Sequence, residues 1–252
     1  ALAFYGGLLC VAVALHGPLD TFNDELFFLH MLQHLVLMQF AAPLILLGRP
    51  VQLLLRALPP RRSGPVLKAV LRPAPVRVAL TVVTAPLVVT LLFNGNLVFW
   101  HIPQFYDAAL ASDLVHEIEH LAFFGFALLF WWPIIDPVPR HHKLKPVAAL
   151  AVVFTSMVVG MAIGAILTLA GNIVYPFYET TAKPWGLTAM VDQQIGGLIM
   201  WVGSGLLYVG ILLYMLGRML GMGDEPHATP TPVSDAERSD GSSAPASASP
   251  SA

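Results

Sequence analysis

His116-Glu117-Ile118-Glu119-His120 runs directly into Leu121-Ala122-Phe123-Phe124-Gly125-Phe126-Ala127-Leu128-Leu129-Phe130-Trp131-Trp132, and this joining of two imidazoles to an unbroken apolar run decides the fold. Residues four apart lie one above the other on a helix, so His116 and His120 share a stripe. The helix that carries them is apolar enough to cross a bilayer. Ionisable groups there are costly and are read as functional when a partner can be named. His30 and His34 repeat the same spacing at the head of another apolar run, so each His pair is the natural partner of the other.

Hydrophobic residues make up 56% of the 252-residue chain and charged residues 11%, with a mean hydropathy of +0.72. An ordinary soluble domain is less apolar than this. The fold class expected is all-α, a polytopic transmembrane helical bundle. Spanning a bilayer takes roughly 20 apolar residues as a helix, and six runs qualify: 1–15, 26–47, 76–93, 114–135, 147–170 and 193–216. The first is short and begins without Met, which leaves room for a seventh span in the intact protein. A cleaved signal peptide fits less well, because 1–15 has no basic flank. The lone Cys10 excludes a disulfide framework, a C-x-x-C redox motif and a thiolate cluster. Metal chemistry must therefore use His, Met and carboxylate.

The net charge of -2 conceals a segregation. Arg49, Arg56, Arg61, Arg62, Lys68, Arg72 and Arg77 stand between the second and third runs, Arg140, Lys143 and Lys145 between the fourth and fifth, and Arg218 follows the sixth. By the positive-inside rule these connections are cytoplasmic. The alternate connections hold Asp20, Asp24, Glu25, Asp107, Asp113, Glu179 and Asp192 with Lys183, and face outward. Six spans with both termini inside satisfy every loop. Gly48-Arg49-Pro50 stops the second helix, after which 53–58 and 66–71 read as amphipathic pieces among anionic headgroups. Flanked by spans, their charge does not read as a nucleic-acid surface. The third run, containing Pro86, is expected to end at Asn94-Gly95-Asn96, with Trp100 and Tyr106 in an interfacial aromatic belt. Residues 1–222 form the transmembrane domain. Residues 223–252, rich in Pro, Ser, Thr, Ala and Asp, lack the apolar content to fold and are expected to be a disordered cytoplasmic tail.

Asn23 or Asp24 is suited to cap the second helix, and Ser112 or Asp113 the fourth. At about 1.5 Å per residue, both His pairs then lie in the outer half of the bilayer. The loop charges were assigned without reference to the His positions, so their agreement independently supports one shared site. Asp192, with Gln193 and Gln194, opens the sixth run and is either its own helix's cap or a further ligand. The expected metal ligands are His30, His34, His116, His120 and Asp192. Imidazole suits copper, zinc, iron and nickel, and a thioether such as Met38, one turn below His34, adds preference for Cu(I). Glu119 is placed to hold an imidazole from behind, Gln193 to assist, and His101 is a rim residue or an extra ligand. Two other chemistries use the same letters. H-E-x-x-H at 116–120 is the zinc-peptidase arrangement, in which Glu117 would activate water, and His on facing helices can ligate haem.

His30-Met31-Leu32-Gln33-His34 through Ala42-Pro43-Leu44 and Gly48-Arg49-Pro50; Trp100-His101-Ile102-Pro103 with Tyr106-Asp107-Ala108-Ala109; His116 to His120 with Phe130-Trp131-Trp132-Pro133; and Asp192-Gln193-Gln194 with Gly197-Leu198-Ile199-Met200-Trp201 form four ordered blocks. Together they resemble the CtaG family of membrane proteins associated with assembly of caa3-type cytochrome c oxidase. The resemblance implies a multi-pass protein of the bacterial plasma membrane that is not an enzyme. It implies copper as the cargo, delivered toward the CuB centre of the oxidase catalytic subunit. It also implies seven spans, against the six counted here. A single-span copper chaperone that shares the CtaG name uses cysteines, and this chain has none of that pattern.

Overall fold

Backbone amides taken out of water must bond to one another, and within one apolar run only a helix satisfies them all. The computed structural model describes residues 2–57, 59, 65, 73–137, 144–181 and 184–221, and its regular structure is helical, with no strand among them. The helices in order are α1 (Leu2–Thr21, interrupted at Gly17), α2 (Phe27–Leu47), α3 (Pro50–Ala57), α4 (Ala74–Val83), α5 (Pro86–Trp100), α6 (Pro103–Leu110), α7 (Asp113–Ile135), α8 (Pro146–Leu169) and α9 (Ala189–Met219). Five of these, α1, α2, α7, α8 and α9, are long and apolar enough to cross a membrane. The pair α4 and α5 passes the same test when taken together and, counted as one broken span, is the sixth, bent by 62°. Pro86 is the cause: it lacks an N–H, and the residue before it, Ala85, is extended at φ -62 and ψ 140, as a proline demands.

Five of the six spans close into a ring in which α2 packs on α7, α7 on α5, α5 on α8, α8 on α9 and α9 back on α2, while α1 lies outside against α2. The ring is tightest where α8 meets α9. A Cβ at Gly197 would stand 2.8 Å from the Gly164 carbonyl oxygen and 2.7 Å from the Thr168 nitrogen, so only glycine lets these backbones touch. Aliphatic side chains such as Leu87, Leu91, Leu121, Ile166 and Leu206 point outward and are exposed, as expected of a surface solvated by lipid. Among the described residues, the helix ends flanked by Arg49, Arg56, Arg77, Lys145 and Arg218 alternate along the chain with those flanked by Asp20, Asp24, Glu25, Asp107, Asp113 and Glu179. At one end, hereafter acidic, Tyr178 Oη donates to the Asn23 carbonyl and Tyr175 Oη to that of His101, both at 3.0 Å, tying three connections together. At the other, basic end, α2 stops at Gly48, where a Cβ would strike the Phe4 nitrogen at 2.6 Å.

Several local expectations are corrected. Asn94-Gly95-Asn96 does not end the third run: α5 continues to Trp100. In apolar surroundings the helix keeps its own bonds, and Asn94 Nδ2 is satisfied by the Thr90 carbonyl at 2.8 Å and Ser156 Oγ on α8 at 3.0 Å. Trp100 and Tyr106 are buried, at 7% and 1% exposure, and belong to no interfacial belt. Neither Asn23 nor Asp24 caps α2, whose N-cap position is Leu26, and Ser112 sits at the N-cap of α7 without a side-chain bond. Helix α9 begins at Ala189, where Thr188 Oγ1 accepts from the Val191 N–H at 3.2 Å, and not at Asp192. The piece expected at 53–58 is covered up to Ala57 by α3. The piece at 66–71 and the tail at 223–252 lie outside the described residues.

Two helices widen within the ring. In α2 the segment Val36–Ala41 is π-helical, and in α9 the segment Ile199–Gly203. The sequence explains the first. The Ala42 N–H bonds back five residues to the Leu37 carbonyl, and the next donor on that ladder would be Pro43, which has none. The Met38 carbonyl is taken instead by Trp131 Nε1 of α7 at 2.9 Å. In α9, Ser204 Oγ likewise donates to the Met200 carbonyl at 2.6 Å.

Candidate metal centre

Positions 116, 119 and 120 are three and four residues apart on α7, so their side chains fall on one helix face. That face meets α2 at His30 and His34. The four imidazoles pack against each other with ring centroids 4.4 Å apart for His30 and His34, 4.2 Å for His116 and His120, and 5.1 Å both for His30 with His116 and for His34 with His120. His30, His34, His120 and Glu119 are buried, and His116 is half-buried. Both expected His pairs therefore come together.

Glu119, expected as a support behind an imidazole or as an additional ligand, stands within the cluster. Its carboxylate lies between the pairs, with Oε2 3.7 Å from His30 Nε2 and Oε1 3.5 Å from His34 Nε2. These separations are too long for good hydrogen bonds. They are, however, the spacing of ligands that share an ion: donors held at roughly 2.0 to 2.1 Å in a tetrahedral shell stand about 3.4 Å apart. His30, His34 and Glu119 each offer an atom, and all three atoms lie within 4.8 Å of one another. Both nitrogens of His30 and of His34, Nε2 of His116 and of His120, and Glu119 Oε2 are buried without a hydrogen-bond partner. Polar atoms so placed are normally paired, and a metal ion would pair them. Glu117, the residue that a peptidase would need, is exposed.

Asp192 and Gln193 are not brought into this cluster. Asp192, fully buried, accepts from the N–H of Phe27 at 2.9 Å and of Phe28 at 3.0 Å, capping the first turn of α2 from a different helix. A carboxylate on these free amides also complements the positive end of the helix dipole. It sets the helix on which His30 follows one turn later. Gln193 accepts from the Val174 N–H at 2.7 Å and donates to the carbonyls of Leu167 and Asn172, both at 3.2 Å, so it fastens the connection between α8 and α9.

His101 is half-buried at the C-cap of α5, with its Nε2 buried. Its Nδ1 lies 2.7 Å from the Leu97 carbonyl and so must be the protonated nitrogen, which leaves the buried Nε2 as a lone pair with no partner. Burial pushes its pKa down to about 4, against the raising effect of the Leu97 bond, so the ring is neutral at pH 7. Met38 is buried below His34. Three structural residues went unread in the sequence. Gln33, between the two histidines of α2, donates to the Ala14 carbonyl at 2.9 Å and Asp20 Oδ1 at 3.0 Å, fixing α1 to α2. Tyr106 packs its ring 5.2 Å from that of His30, and its hydroxyl bonds that of Tyr178 at 3.1 Å. Burial first, and then the neighbouring Tyr178, holds Tyr106 well above the usual phenol range. The signal for Gln33 was available, since a polar residue inside an apolar run needs a partner. For the tyrosines there was none.

Residues 1–221 match the family model of the cytochrome c oxidase caa3 assembly factor, Caa3_CtaG. Among curated proteins the chain is similar to an uncharacterized protein of Mycobacterium leprae, 27% identical over 86% of this chain and 33% of the relative. It is also similar to uncharacterized proteins of Mycobacterium bovis and Mycobacterium tuberculosis, each 26% identical over 79% of this chain and 31% of the relative. The chain thus spans about a third of the length of the curated relatives it matches. No solved structure matches.

Proposed function

We propose, since the chain belongs to the cytochrome c oxidase caa3 assembly factor family, that it carries copper as Cu(I) on His30, His34, His116, His120 and Glu119 and supplies it to the CuB centre of the oxidase catalytic subunit. The observation that carries this reading is the set of buried, unpartnered imidazole nitrogens around Glu119. Such a set costs folding energy, and an ion that takes one nitrogen from each imidazole offsets part of that cost. Copper is cargo here, and no residue of the chain is catalytic. Asp192 holds α2 in register without touching the ion. His116, the half-exposed member, is where an ion enters. The basic end faces the cytoplasm and the acidic end, with the cluster, the opposite side, as the distribution of Arg and Lys supports.

Two observations speak against the alternatives. Glu117 is exposed, so the general base of a zinc peptidase would point away from the metal. The cavity that adjoins His34 measures ≈ 30 Å³, an order of magnitude below the roughly 300 Å³ at which pockets for organic ligands begin, which leaves no room for haem.

The experiment measures copper in two places. Protein purified with its lipids should retain copper, and His30→Ala, His34→Ala, His116→Ala and His120→Ala should each lose it. Glu119→Gln should weaken retention roughly 10 to 100-fold, and Glu117→Gln should leave it unchanged. Oxidase from strains carrying the four His variants should contain haem but be short of CuB. Full copper occupancy in the oxidase of all four would refute the carrier mechanism.

A further inference from the structure

On the basic side of the cluster the ring of helices encloses the cavity of ≈ 30 Å³ already noted, room for one or two waters or a bare ion. His34 belongs to its wall as well as to the cluster. The other donors on the wall are Met31, Met38, Gln39, His101 and Met200. Three of the chain's nine methionines thus converge on one small space, which is more sulfur than filling it requires. Gln39 Oε1, His101 Nε2 and both nitrogens of His34 are buried and have no hydrogen-bond partner. A dry apolar void would not collect such atoms.

The backbone gives a second and independent observation. Both π-helical segments of the ring border this cavity: Met38 and Gln39 come from the one in α2, and Met200 from the one in α9. Single widened turns recur at functional sites because they re-aim side chains that an α-helix would place elsewhere. In both, the carbonyl of the cavity-lining methionine is held by a side-chain donor, Trp131 for Met38 and Ser204 for Met200.

We infer that this cavity is a second binding position for a soft monovalent metal ion, in which the thioethers of Met38 and Met200 and the imidazoles of His34 and His101 receive Cu(I) from the His and Glu119 cluster. The inference rests on the copper-carrier reading and extends it with an inner station. Thioether with imidazole is a donor set that selects Cu(I), or Ag(I), over Zn(II). The step between the stations is a ligand exchange and no redox chemistry. His34 is common to both, the bonds to His30, His116, His120 and Glu119 break, those to Met38, Met200 and His101 form, and copper stays Cu(I) throughout.

The test is X-ray absorption on the full chain in lipid nanodiscs, loaded anaerobically with Cu(I) in steps up to two equivalents. Nitrogen and oxygen scattering is expected at low loading and sulfur scattering as loading rises. Met38→Leu combined with Met200→Leu should abolish the sulfur signal and leave the nitrogen-bound ion in place. The control Met157→Leu, on a residue outside the cavity wall, should change nothing. Ag(I) should compete for the sulfur-bound ion and Zn(II) should not. Copper bound by nitrogen and oxygen alone at every loading would overturn the inner station while leaving the carrier reading intact. A sulfur signal that survives the double variant would overturn it equally. Failure of the wild-type chain to hold any Cu(I) would overturn both readings together.

Discussion

Asp192 separates two mechanisms, and Asp192→Asn is the perturbation that tells them apart. The carboxylate holds the N–H groups of Phe27 and Phe28 at 2.9 and 3.0 Å, and Asp192 and Phe27 are buried at 0% and 1% exposure. Asparagine keeps the shape and one acceptor but turns an NH2 group toward the other amide. One hydrogen bond to a charged group, roughly 1.5 to 3 kcal/mol, is therefore lost. In a membrane the unfolded reference state recovers part of this, because stray polar groups find partners there too. The expected cost is about 1 to 2 kcal/mol for Asn, and about 2 to 4 kcal/mol for Ala, which removes both acceptors and the charge at the helix start. Thermal or SDS-induced unfolding of the purified protein measures it, with copper retention determined on the same samples. Stability should fall in both variants, while the Asn variant keeps most of its copper. A variant as stable as the parent that has lost its copper would make Asp192 a ligand and refute the capping argument.

Gly197→Ala should destabilise the bundle by about 2 to 3 kcal/mol, the range of overpacking against atoms that cannot retreat, because its Cβ meets the Thr168 nitrogen at 2.7 Å and the Gly164 oxygen at 2.8 Å. Gly210→Ala, with nothing within 4 Å, should be neutral or stabilising in the same unfolding assay. Trp131→Phe strips the Met38 carbonyl of its donor and should cost about 1 to 3 kcal/mol, seen as a lower unfolding midpoint. In a background with Cys10 replaced by Ser, an impermeant thiol reagent on intact cells should label Glu179→Cys and spare Lys145→Cys. The reverse pattern would invert the orientation.

Periodicity made the spans and both His pairs legible, because lipid exposure and the 3.6-residue turn act directly on the order of the letters. Glu119 was legible only in part: it lies three residues after His116, but Glu117 lies three residues before His120, so spacing sets both beside the stripe and only packing against α2 selects Glu119. Asp192 was not legible. A carboxylate in the first turn reads as a cap for its own helix, and that it caps one lying 165 positions earlier is a fact of packing alone. Asn94-Gly95-Asn96 misled for a related reason, since turn propensity is measured against water. Where water is absent, a helix that finds Ser156 for its asparagine has no cause to stop. His101 is set by its bond to Leu97 and by the cavity next to it, neither of which its neighbours in the chain announce.

The clamp of Asp192 on α2 also orders events in time. The chain is made from its N-terminus, so α2 and α7, which hold all four clustered imidazoles and Glu119, enter the membrane well before α9 does. Until α9 arrives, the first amides of α2 lack the Asp192 acceptor, and the helix bearing His30 and His34 is held only from α1, through Gln33, and from α7, through the Met38 carbonyl. A half-synthesised chain therefore owns all four imidazoles and Glu119 while the start of the helix that carries His30 still lacks its clamp. On the proposed copper-carrying reading, firm capture of the ion waits for the finished polypeptide.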